Sequence, residues 1–190
     1  RTRAKRESFM FKGMLKATVF ATTMALATGA FYTPAFAEVV YNRGNSADPE
    51  SLDPHKTSTV YEAHILRDLF EGLVMQDKDA NLIPGAAESW TVSDDGTVYT
   101  FKLRKGAVWS DGSPVTADDF VYSFRRLEDP ATGAEYASML YVVKNGEAVN
   151  TGKAKPEELG VKAVDPETFE VTLNAPTPYF LEMLTHQSSY

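Results

Sequence analysis

The chain of 190 residues has no cysteine, which excludes disulfides, thiolate metal sites and a thiol nucleophile. Its 26 acidic side chains outnumber 19 basic ones, for a net charge of −7, and residues 38–190 alone carry 13 basic and 25 acidic groups, net −12. A body this acidic is a poor match for nucleic acid or an anionic membrane surface.

Residues 1–37 have the form of a secretion signal. Lys12 and Lys16 make a basic start, "ATVFATTMALATGAF" an apolar core, and Ala35-Phe36-Ala37 an Ala-x-Ala box, so cleavage is expected after Ala37. The apolar core, rich in Thr, Ala and Gly, is barely long enough to span a bilayer. With no cysteine to carry a lipid, the mature protein is expected free in the periplasm. The remaining 153 residues suffice for one ordinary core, and the aromatic content of 12% favours a packed body.

"EVVYNR" at 38–43 reads as a short strand, and "GNSADPESLDPHKTST" as a long polar connection. Tyr61, Ile65, Leu66, Leu69 and Phe70 recur at helical spacing, with Gly72 as a C-terminal stop. "LVMQDKDANLIPG" predicts a strand, a turn and a short extended piece. "SWTVSDDGTVYTFKLRKG" predicts a hairpin turning on two residues, Asp95-Gly96, with Tyr99, Phe101 and Leu103 on its buried face.

Next, Ser110-Asp111-Gly112 predicts a turn and Thr116 a helix cap, with Asp119 three residues on completing a capping box. That helix presents Phe120, Phe124 and Leu127 to a core and ends near Asp129-Pro130. A second helix is expected at 135–143. After the polar run "NGEAVNTGKAKPEE", strands "GVKAV" and "TFEVTLN" join through Asp165-Pro166, and "TPYFLEMLTH" begins another helix. The fold class expected is α/β, with mixed α+β elements and no internal repeat.

Catalytic and metal chemistry find little support. His55, His64 and His186 are scattered, with no His-x-x-x-His or HExxH pair. "SDDGTVY" and "WSDGSPVTADD" lack the spaced ligands and closing glutamate of a calcium loop, and turn and cap chemistry explains them at less cost. There is no Gly-x-Ser-x-Gly elbow, dinucleotide fingerprint or phosphate loop. Asp118 and Asp119 diverge by about 100° around a helix and cannot face one bond. The profile is that of a binding protein with no catalytic residue, no metal and no cofactor.

The stretches "SLDPHKTSTVYEAHILRDLFEGLV", "GAAESWTVSDDGTVYTFKLRKGAVWSDGSPVTADDFVYSFRRLEDP" and "LGVKAVDPETFEVTLNAPTPYFLEML" resemble the family 5 extracytoplasmic solute-binding proteins, from about Val40 to the end. "SLDPHK" with "YASML" is most similar to the oligopeptide-binding branch. The resemblance implies a two-lobed, type II periplasmic fold with the family's additional small domain. Residues 38–70 would begin the first lobe and 71–190 would form most of the small domain, the opposing lobe being absent, so that the chain is an N-terminal fragment.

The resemblance further implies a monomeric receptor that closes on an oligopeptide and delivers it to an ABC permease driven by cytoplasmic ATPases, with no nucleic-acid partner. Other family solutes (dipeptide, murein peptide, nickel chelate) and, from another class, a secreted hydrolase are the alternatives. By the same resemblance Thr57, Ser58, Thr59 and Val60 border the ligand and Tyr136 is an aromatic at its cavity. Ser58 stands where the best-known relatives carry an acidic residue. Read from the residues alone, Tyr136 is equally a core tyrosine on a helix and 57–59 a solvated loop.

Overall fold

The structure, a computed structural model, describes residues 40–190. The signal and its cleavage site lie outside the described residues. Residues 45–190 form one compact unit. The strand expected at 38–43 is corrected where it can be seen: residues 40–43 are not a strand, and no described strand pairs with them. An extended segment becomes a strand only through a ladder partner.

The centre of the unit is an antiparallel sheet in the order β3-β4-β6-β5: β3 is Ala87–Val92, β4 Val98–Leu103, β5 Val161–Asp165 and β6 Thr168–Thr172. A separate hairpin pairs β1, Val74–Gln76, with β2, Leu82–Pro84. Along β4 the expected alternation holds, with Tyr99, Phe101 and Leu103 buried. Phe101 pairs with Phe169 of β6, their rings 6.3 Å apart.

Helix α2, Ala117–Glu128, covers this face. Its Phe120 and Phe124 rings lie 5.8 and 5.2 Å from Phe169, so the apolar stripe meets the buried side of the sheet. The helix starts where its capping residues dictate. The Asp119 carboxylate accepts from the Thr116 N–H at 2.7 Å and its hydroxyl at 3.0 Å, which supplies negative charge at the positive end of the helix dipole.

The polar residues before α2 act within their own turns. Val108 and Pro114 close a miniature hairpin in which Gly112, at φ +86°, donates to the Trp109 carbonyl. The Asp111 carboxylate takes the Ser113 N–H and hydroxyl at 2.8 and 2.7 Å. The β3–β4 turn is longer than the two residues expected. Ser93 and Val98 close a loop over 94–97, and the Asp95 carboxylate gathers the Ser93 and Thr97 hydroxyls and the Thr97 N–H. Those donors are available only in the wider loop, with Gly96 alone in the left-handed region at φ +69°.

Three helical expectations are also corrected. Helix α1 runs Val60–Leu69; Ala63 and Leu66 are buried, but Leu69 is 59% exposed. Its end comes at Phe70, whose backbone is extended. Gly72 serves a different need, because a Cβ there would lie 2.7 Å from the Tyr190 ring. In place of an α-helix at 135–143 there is a 3-10 helix, Ala137–Val142. The Val142 carbonyl accepts from Asn174 and Val143 bridges Leu173, so the sheet claims backbone groups that an α-helix would use. A short helix α3, Gly146–Asn150, lies in the run read as a polar connection, and the last helix is limited to α4, Phe180–Met183.

Candidate functional site

The segment 50–60 is organised by two acidic residues. Asp53 precedes the 3-10 helix Pro54–Lys56 and accepts from the His55 N–H at 3.2 Å. Glu62, in the first turn of α1, is 3% exposed and collects five donors. One oxygen takes the Glu50 and Ser51 N–H groups; the other takes the N–H groups of Ser58 and Thr59 and, at 2.7 Å, the Thr59 hydroxyl. These bonds, the Thr59 hydroxyl first, hold the Glu62 carboxyl below the usual carboxylate range.

The structure places the five ligand-bordering candidates as follows. Thr57 is 1% exposed and donates its hydroxyl to the Pro54 carbonyl at 3.3 Å. Ser58 is exposed, and its carbonyl accepts from the Tyr136 hydroxyl at 3.4 Å across 78 residues of sequence. Thr59 is the N-cap of α1, and Val60, its first residue, is 72% exposed. Tyr136 is half-buried, with its ring edge-on to His186 at 4.6 Å. Backbone angles at Thr57 (φ −96°, ψ 143°) and Thr59 (φ −109°, ψ 153°) are extended. A short extended segment, buried at Thr57 and exposed at Ser58, thus runs beside an aromatic ring.

Behind it lies a network that sequence reasoning missed. The Asp53 carboxylate is gripped by both terminal guanidinium nitrogens of Arg126 on α2, and Arg126 Nη1 also donates to His55 Nδ1 at 2.7 Å. His55 Nε2 lies 3.3 Å from the Ser123 hydroxyl, which donates to the Tyr190 backbone oxygen at 3.0 Å. Burial, with the Arg126 charge second, lowers the His55 pKa to about 4. The Arg126 hydrogen bond holds the Asp53 carboxyl below its usual range.

The protons in this network have one direction. A neutral His55 that accepts at Nδ1 carries its hydrogen on Nε2 and donates to Ser123. It therefore cannot take a proton from that serine, and the pair is no nucleophile and base. Ser188, beside His186 Nδ1 at 2.8 Å, is 1% exposed. Among the described residues no group of three or more His, Asp or Glu is placed to hold a metal, and no helix is long and apolar enough to cross a membrane. Of the missed residues, Glu62 had a legible signal, the Thr59-x-x-Glu62 capping spacing. Arg126 had none, since it meets Asp53 across 73 residues.

The family model for bacterial extracellular solute-binding proteins, family 5 Middle, matches residues 81–190. Over 148 residues the chain is 50% identical to the periplasmic oligopeptide-binding protein OppA of Salmonella typhimurium, covering 77% of this chain and 27% of that protein. It is 44% identical over 154 residues to the probable deoxycholate-binding periplasmic protein YgiS of Escherichia coli, covering 80% and 29%. The structure of Haemophilus influenzae OppA in complex with the peptide RPPGFSPFR matches with a TM-score of 0.74 at 52% identity, over 75% of this chain and 28% of that one. The chain thus spans little more than a quarter of the length of these relatives. The family model accounts for more than half of its residues, and the mixed α+β backbone agrees with that of the solved relative. On both grounds the chain belongs to the bacterial extracellular solute-binding proteins of family 5.

Proposed function

We propose that this chain is part of a periplasmic receptor that captures oligopeptides between two lobes and presents them to an ABC permease driven by cytoplasmic ATPases. The observation that carries the reading is the extended segment 57–59, joined to Tyr136 through the Ser58 carbonyl. The Ser58 and Thr59 N–H groups are already held by Glu62, so this segment forms a fixed wall along which a peptide can lie, its side chains entering hydrated space. The 52% identity to a protein solved with a nonapeptide supports the same ligand class. In this reading residues 1–37 are removed by cleavage after Ala37, residues 38–70 begin the first lobe, and 71–190 form most of an additional small domain. The receptor acts as a monomer, and hinge closure is what the permease recognises.

A second reading within the family is a different solute, such as a dipeptide, murein peptide, nickel chelate or bile salt. It is favoured by the neutral Ser58 and by the similarity to a probable deoxycholate-binding protein. Isothermal titration of the intact protein with a mixed tri- to pentapeptide pool tests the first reading, and mass spectrometry of co-purifying molecules tests the second. Absence of heat across the pool sinks the peptide assignment.

A further inference from the structure

We infer that Asp53, Arg126 and His55 form a positioning device that sets the extended segment 57–59, with the helix start at Val60, and Tyr136 against each other, with the Arg126-to-His55 bond as its deciding contact. The inference rests on the ligand-bordering role proposed above for that segment. Three connections converge on His55, which is 4% exposed. Its backbone carbonyl accepts from the Glu135 N–H at 3.2 Å, beside Tyr136. Its ring is held by Arg126 and Ser123 of α2. Its chain continues through Lys56 directly into Thr57 and Ser58.

Both halves of the site therefore meet at one residue, beside the separate hold that Glu62 keeps on the Ser58 and Thr59 N–H groups, and α2 fixes that residue to the sheet. The Arg126 contact is the stronger of the two ring bonds: it is charge-assisted and 2.7 Å long, against 3.3 Å to a neutral hydroxyl. Asp53 keeps the guanidinium fork aimed, because it accepts from both terminal nitrogens at once.

The two ring nitrogens can be separated by substitution in the intact protein. Asparagine places an amide oxygen near the position of Nδ1 and can still accept from Arg126. Glutamine places an amide nitrogen near Nε2, where it donates to Ser123 but leaves Arg126 without its acceptor. His55→Asn is expected to bind the peptide pool within about threefold of the parent, and His55→Gln about tenfold more weakly, at similar melting temperatures.

Amide hydrogen exchange at 57–60 provides a readout independent of ligand. Protection is expected to fall in His55→Gln and to persist in His55→Asn. Equal affinity and equal protection in the two variants would overturn the inference. If the parent binds no peptide but the exchange split appears, the peptide assignment fails and the positioning role stands. Should His55→Gln fail to fold, Asp53→Asn, which loosens the fork but leaves the ring in place, must also lower protection at 57–60; unchanged protection there would count against the role.

Discussion

Glu128 ends α2 with its side chain wholly buried, and neither carboxyl oxygen has a hydrogen-bond partner. Burial pushes its pKa from 4.5 up to about 8. The folded chain therefore keeps a proton that the unfolded chain has released. Below about pH 4.5 both states are protonated and the group costs nothing; as pH rises toward 8 stability falls, and it levels off above. The full gap corresponds to about 5 kcal/mol. Relaxation of the surrounding structure when the group ionises reduces this, and about 2–3 kcal/mol is the expected loss at pH 8. Glu128→Gln removes the ionisation while keeping the shape. The variant should match the parent near pH 4.5 and exceed it by about 2–3 kcal/mol at pH 8, measured by urea unfolding at half-unit pH steps. His55 titrates oppositely, losing stability as pH falls from 6.5 toward about 4, but it does so in both proteins and cancels in the difference. A constant difference across pH, or a variant less stable at pH 8, would show that the carboxylate is ionised and paired, and would refute the reasoning.

Phe169→Ala should destabilise the chain by about 3–5 kcal/mol, because three phenylalanine rings pack on that side chain; a loss below 1 kcal/mol in chemical denaturation would contradict the packing described. Gly85→Ala should cost about 2 kcal/mol or more, since its Cβ would lie 2.3 Å from the Gly72 carbonyl oxygen, and a melting temperature unchanged from the parent would disprove that close approach. Glu62→Gln should cost about 1–2 kcal/mol at neutral pH. The Glu62 carboxyl lies below its ordinary 4.5, so its contribution is present above that pH and lost as pH falls through the lowered value; a penalty that stays constant across that fall would rule out the charge as its source.

Local chemistry made much of this fold legible. The β4 alternation, the Thr116–Asp119 cap and the stripe of Phe120, Phe124 and Leu127 follow from periods of two and 3.6 and from side chains reaching three residues along the chain. The family pattern lies in the same residues, because turns, caps and core faces are what a fold demands of its sequence. Between 135 and 143 a distant partner overrode local preference: Asn174 and Leu173 bond the backbone at 142–143 and leave a 3-10 turn behind. The candidate site divides in the same way. Residues 57–60 and Tyr136 were named from resemblance, and the Glu62 cap was readable from spacing. The meeting of Ser58 with Tyr136, the grip of Arg126 on Asp53 and His55, and the burial of Glu128 were decided by tertiary structure alone. A hydrogen bond between groups more than 70 residues apart leaves no period in the sequence, since only the packing of residues 53–58 against α2 and Tyr136 brings its two ends within reach.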